Sequence, residues 1–144
     1  MTVLEYLCHK TQTQSEELEK MLSVNSIVFT HALNKIPSLD IRMEHLTNEG
    51  RRLTQIAAAF MKPSQFLFIE SPEAYLDKDG IMNLAQLMIS ETKHKERIIL
   101  LSELSTPRFD PLINLHVSQM RSGDYQVRPY EQYLEDFAEL KKSA

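Results

Sequence analysis

The sequence predicts an α/β protein: a helical N-terminal segment followed by a small, partly parallel sheet flanked by helices. Three observations carry this. Apolar residues recur at helical spacing in residues 1–36 and again from Thr47. Two apolar runs of strand length, 65–70 and 97–102, lie on either side of an amphipathic, helix-length segment. Strand, helix and strand in that order imply a parallel pair inside an α/β layer. Finally, "RSGD" at 121–124 is a hairpin turn between two further strand-like runs, with Gly123 available for a positive φ.

Residues 1–36 read as helical. Val3, Leu4 and Leu7 form a short apolar face before the polar stretch "HKTQTQSEE". Leu18, Met21, Leu22, Asn25, Phe29, Ala32, Leu33 and Ile36 then make one mostly apolar face. Pro37 stops the region, and "PSLDIRMEH" reads as a connector. A second helix starts at Thr47, whose hydroxyl suits the cap position, and buries Leu53, Ile56, Ala57 and Phe60. "MKPS" ends it, and the apolar run at 65–70 is a buried strand. A third helix, from Asp79 to about Lys95, turns Ile81, Leu84, Leu87 and Met88 inward. "RIILLS" (97–102), "INLHVSQM" (113–120) and "YQVRP" (125–129) are the remaining strands, the first two read as buried. A final helix at 130–141 repeats Tyr130, Tyr133, Leu134, Phe137 and Leu140 on one side.

The 144 residues suffice for a single domain with one core, read here as a helical part at 1–61 and an α/β part at 62–144. With 42% hydrophobic and 25% charged residues, the balance is that of a soluble globular chain. A formal net charge of -4 argues against a nucleic-acid partner, which would require a basic face. No apolar run reaches the ~20 residues of a membrane-spanning helix, and the polar N-terminus is not a signal peptide. A single cysteine, Cys8, fits a reducing, cytoplasmic setting and has no partner pattern for a nucleophile. Only Gly50, Gly80 and Gly123 are glycines, too few and too scattered for a loop that cradles phosphate.

The polar motifs follow one order. "LTNEG" opens a helix at 46–50, "FLFIES" (66–71) is an apolar strand ending in Glu70 and Ser71, and "AYLD" ends in Asp77. In this order, and with this spacing, residues 45–77 resemble the central part of an ABC-type ATPase domain. "LTNEG" stands where the LSGGQ signature would, "FLFIES" where the Walker B strand and catalytic glutamate would, and "AYLD" where the D-loop would. "TVLEYL" is similar to the opening of the family's helical subdomain, "RIILLSEL" to the strand leading to its switch histidine, and "INLHVSQMRSGDYQV" to its closing hairpin. The resemblance covers nearly the whole chain but only the second part of the family's domain. It implies a partial ABC-ATPase-like core without the phosphate-loop half, since no G-x-x-x-x-G-K-[ST] occurs.

The chemistry the resemblance implies is altered at each position. The Walker B aspartate position is Glu70, and the catalytic glutamate position is Ser71, which is no base at neutral pH. The switch histidine position is Ser102. The signature serine survives as Thr47, but its glycines are Asn48 and Glu49. Glu49 would set a carboxylate against a polyphosphate, a repulsion of a few kcal/mol at ~4 Å, while still suiting a helix start. Asp77 is unchanged, and with Asp79 and Gly80 it also reads as ordinary turn and helix-start chemistry.

These residues point to a degenerate site, with no catalytic residue, no metal and no cofactor. Thr47, Asn48, Glu49, Glu70, Ser71, Asp77 and Ser102 are then remnant nucleotide-site positions with structural or interface roles. The expected function is that of a non-catalytic, pseudo-ATPase protein-interaction, assembly or regulatory subunit. Its partner is another protein, or a second copy, meeting an exposed sheet edge. The setting is cytoplasmic, or peripheral at the inner face of a membrane within a membrane-associated complex. The alternative is a signature donor that completes an ATP site in trans on a full-length ABC ATPase, with Thr47 against the γ-phosphate. A third class, an independent enzyme using Glu70 and Asp77 for a metal, is separated from both by titration with Mg²⁺ and ATP. His9, His31, His45, His94 and His116 lack metal-ligand spacing. Arg51, Arg52 and Lys62 read as a solvated helix face, and Met43, Met61, Met82, Met88 and Met120 as core filler.

Overall fold

Caps written into the sequence set where the helices begin. In the computed structural model, which describes residues 1–23, 26–102, 109 and 112–143 (the side chains of 137, 141 and 143 apart), α1 spans Val3–Thr11. Thr2 Oγ1 accepts a hydrogen bond from the Glu5 N–H at 3.2 Å, and the Glu5 carboxylate accepts one from the Thr2 N–H at 2.7 Å. α3 (Asn48–Met61) starts at Thr47, whose hydroxyl accepts from the Gly50 N–H at 3.0 Å. That cap contributes about 1 kcal/mol. α4 (Lys78–His94) starts at Asp77, which accepts from the Gly80 N–H at 2.7 Å.

The region 1–36 is not one helix. The chain turns at Gln12 (φ 57°), and α2 runs from Ser15 to Ser23. The threonines of "TQT" compete for backbone partners: Thr11 Oγ1 donates to the Leu7 carbonyl at 2.8 Å, and Thr13 Oγ1 to the Thr11 carbonyl at 3.3 Å. A π-helical turn, Phe29–Leu33, follows. On the anticipated stripe, Leu18, Leu22, Ala32, Leu33 and Ile36 are buried, whereas Met21 and Phe29 are exposed. Asn25 lies outside the described residues.

The protein forms two compact units, Met1–Leu104 and Ser105–Ala144. In the first, α3 packs on α1 and on the π-helical turn, which also packs on α4. Leu53, Ile56, Ala57 and Phe60 of α3 and Ile81, Leu84, Leu87 and Met88 of α4 are all buried, as their spacing requires. Of the five methionines read as core filler, only Met88 is buried; Met43 and Met61 are half-buried, and Met82 and Met120 are exposed. Met82 stands one position off the inward stripe of α4, and Met120 follows the end of β3.

β1 (Phe66–Glu70) and β2 (Ile98–Ser102) pair in parallel, in register from Phe66↔Ile98 to Glu70↔Ser102. The parallel pair matches the sequence reading, but burial on both faces does not. Leu67 and Ile69 are buried. Phe66 and Phe68 are 58% and 65% exposed, and Ile98 and Leu100 are 45% exposed each. A continuous apolar run looks the same whether one face or two is covered.

A buried ionic group ties this unit together. Arg97 donates to the carbonyl of Phe60 at 2.7 Å and to that of Lys62, joining the end of α3 to the approach to β2. The fully buried Glu91 carboxylate lies 3.2 Å from the Arg97 guanidinium and 2.9 Å from Lys95 Nζ. These are ion-pair distances without hydrogen-bond alignment.

In the second unit, β3 (Leu115–Gln119) and β4 (Tyr125–Pro129) form the anticipated hairpin, antiparallel with Val117 opposite Val127. Gly123 takes φ 91° at its turn. Leu115 and Val117 are exposed, so β3 is not the buried strand its composition suggests. α5 (Tyr130–Ser143) packs on both strands. His116 stacks on Tyr133 with ring centroids 3.7 Å apart, and Arg128 pairs with Asp136 at 2.6 Å. On α5, Leu134 and Leu140 are exposed, and the Phe137 side chain is outside the described residues.

Candidate functional site: a closed helix end and a strand-end turn

The seven positions singled out from sequence fall into two groups, held by α3. At its N-terminus stand Thr47, Asn48 and Glu49. Glu49 reaches across to the start of α4: its Oε2 accepts from the Asp77 N–H at 2.8 Å, while its Oε1 lies 2.8 Å from Lys35 Nζ. Lys35 also reaches both Asp77 carboxylate oxygens at 2.8 Å. Lysine, glutamate and aspartate thus form one network joining the segment after the π-helical turn to two helix starts. Lys35 beside it, with the Gly80 N–H next, holds the Asp77 carboxyl below its ordinary range. Asp77 and Glu49 in turn hold the Lys35 amine above its ordinary value.

The second group sits where β1 and β2 end. Glu70 and Ser102 are register partners on neighbouring strands. Ser71 takes φ 45°, and its carbonyl accepts from the Ala74 N–H at 2.9 Å, closing a turn. A serine in the left-handed region costs about 1–3 kcal/mol and persists only where its surroundings impose it. Arg52, on α3, imposes it by donating to the carbonyls of Glu70 at 2.7 Å and Ser71 at 3.1 Å. The Glu70 side chain is exposed and makes no hydrogen bond or ion pair among the described residues.

Chemically, a helix N-terminus attracts anions through free amides and its dipole. Here Thr47 takes the Gly50 amide, and Glu49 supplies the negative charge from within the helix. A Cβ at Gly50 would already meet Leu46 and Thr47 at 3.4 Å, so this glycine adds no open cradle. Two cations stand at this end: Lys35 is already bound by two carboxylates, and Arg51 donates to Asn48 Oδ1 at 2.9 Å. Among the described residues, no group of three or more His, Cys, Asp or Glu converges to hold a metal. Cys8 is half-buried; burial first, and the charge of Glu19 second, push its thiol up, away from the reactive thiolate.

Two site residues escape sequence reasoning. Lys35 lies 14 and 42 residues from its partners, and no local pattern marks it. Arg52 reads in sequence as part of a solvated helix face, yet it donates to the carbonyls that end the strand 18 residues later.

No protein-family model matches the chain, and no curated protein matches it in sequence. Among solved structures, an RNase-L inhibitor is similar with TM-score 0.64 at 17% identity, over 89% of this chain and 24% of that one. The fold is ABC-ATPase-like. The chain spans about a quarter of the length of that relative. A chain from work on ATP-driven dimerization and DNA-stimulated activation of SMC ATPases matches with TM-score 0.48 and 21% identity, over 70% of this chain and 65% of that one. Among the described residues, no helix is long and apolar enough to cross a membrane.

Proposed function

We propose that this chain is a non-catalytic, ABC-ATPase-like module that acts by protein contact, as an assembly or regulatory subunit. The observation that carries the reading is the open face of the parallel pair, where Phe66, Phe68, Ile98 and Leu100 share one side and stand 45–65% exposed. Parallel sheets occur with both faces covered, and a contiguous exposed apolar patch marks a contact surface.

The dimensions select the occupant. Two strands ~4.8 Å apart make a strip about 10 Å wide, the breadth of one α-helix. The partner is therefore a protein that lays an apolar helix stripe along β1 and β2. On the nucleotide side, three features support a non-catalytic role. Glu49 is committed to Lys35 and Asp77, Ser71 replaces a catalytic carboxylate, and Ser102 stands beside Glu70. The trans-completion reading is the weaker one, because Glu49 sets its charge where a partner's γ-phosphate would come.

The test is binding of a hydrophobic dye together with light scattering after size exclusion. The wild-type chain binds dye, and Phe66→Ser/Phe68→Ser removes most of the signal without unfolding the protein. A monodisperse monomer that binds no dye contradicts the proposal. Dimerisation abolished by the same variant assigns the face to a second copy and overturns the helix partner.

A further inference from the structure

The first unit carries another feature that the β1–β2 face does not explain. On α2, Glu16, Glu19 and Ser23 stand three and four residues apart and so share one helical row. The row leads into an open pocket of about 430 Å³ lined by Glu19, Leu22, Ser23, Ser26, Phe29 and Leu39. Leu22 is buried, Leu39 half-buried and Phe29 exposed, so the pocket offers an apolar surface graded from inside to rim. Its hydroxyls are already committed: Ser26 Oγ accepts from the Phe29 N–H at 3.2 Å, and Ser23 Oγ donates to the Lys20 carbonyl at 3.0 Å.

Glu19 is different. It is the charged residue of the lining, it is exposed, and no cation among the described residues pairs with it. The wall at Phe29 is the start of the π-helical turn. Such turns are rare and concentrate at functional sites. A volume of this size lies within the range of ligand pockets. Its openness, and the carboxylates of Glu19 and, about one helical turn (~5 Å) away, Glu16, with Lys20 the one cation on the helix beside them, suit a chain segment with successive charges better than one enclosed small molecule.

We propose that this pocket takes a basic peptide segment of a partner protein. One apolar side chain enters against Leu22, Phe29 and Leu39, and neighbouring Lys or Arg residues pair with Glu19 and Glu16. The site is independent of the β1–β2 face, and either stands if the other fails.

Fluorescence polarisation with three labelled synthetic 12-mers tests it on the full chain: one of lysines flanking two leucines, one with glutamates for the lysines, one with serines for the leucines. The lysine–leucine peptide binds saturably and the other two do not. Glu19→Lys and Phe29→Ala, both at exposed positions, each weaken binding about tenfold or more, and raised salt weakens it further. Phe68→Ser leaves it unchanged. Equal binding of the glutamate peptide, or indifference to both pocket substitutions, overturns the proposal. Loss of binding in Phe68→Ser instead moves the peptide to the sheet and also overturns it. Self-association abolished by Phe29→Ala assigns the pocket to a second copy, with the same consequence.

Discussion

The Glu49 carboxylate accepts a hydrogen bond from the Asp77 backbone N–H at 2.8 Å, across 28 residues of sequence. Lys35 closes the same contact from a third segment, 2.8 Å from each carboxylate. A helix start that would otherwise present amides to an anion is thereby turned toward its own chain. The consequences of that relationship are measurable.

The network predicts a pH window for stability. Asp77 is held below its ordinary value of 3.8, so its contribution is present above that pH and lost as pH falls through the lower, folded-state value. Lys35 is held above its ordinary value of 10.5, so its contribution is full below that pH and lost as pH rises through the higher, folded-state value. The Tm difference between wild type and Lys35→Met is therefore flat from about pH 5 to 9 and shrinks at both extremes. It also falls with added salt, because these groups are partly solvated. Thermal unfolding across pH and salt reads it; a difference independent of both denies the network a role.

The buried ion group predicts a large, partner-dependent cost. Arg97→Met leaves the Glu91 carboxylate with Lys95 as its one cation and the Phe60 and Lys62 carbonyls without their donor, and lowers unfolding free energy by up to about 3–5 kcal/mol. Adding Glu91→Leu to Arg97→Met recovers much of that loss, since an apolar pair tolerates the site better than a buried carboxylate that keeps one of its two cations. Urea titration of the single and double variants checks both steps.

Alternate positions of β1 should respond oppositely. Leu67→Ala, on the buried face, costs about 2–5 kcal/mol. Phe68→Ser, on the open face, stays within about 0.5 kcal/mol of wild type. Equal costs at both positions would show that the open face is covered in solution.

How much of this was legible in the sequence depends on the range of the interaction. Thr47 and Asp77 announce their helices because a cap acts over three residues, and Leu53, Ile56, Ala57 and Phe60 declare a face because their spacing is local. The parallel pairing of 66–70 with 98–102 follows from an intervening helix that must be crossed. The break at Gln12 was hidden, because threonine side chains competing for carbonyls look like any polar stretch of a helix. Lys35 and Arg52 were hidden more deeply: their partners are chosen by tertiary packing. The open face of β1 was read as buried, because Phe66 and Phe68 are as apolar as Leu67 and Ile69.

Thr47 separates contact from trans completion. Thr47→Ala removes the cap and costs about 1 kcal/mol of stability. It leaves unchanged the ATP turnover of a full-length ABC ATPase mixed with this chain. A large fall in that turnover would place the Thr47 hydroxyl against a phosphate and favour the signature-donor role.

The most direct measurement is ATP turnover and calorimetric Mg-ATP binding by the purified chain, alongside Glu70→Gln. The account predicts no turnover and no binding tighter than about 1 mM, equivalent to ~4 kcal/mol. Sustained hydrolysis by the chain alone, abolished in Glu70→Gln, would contradict it.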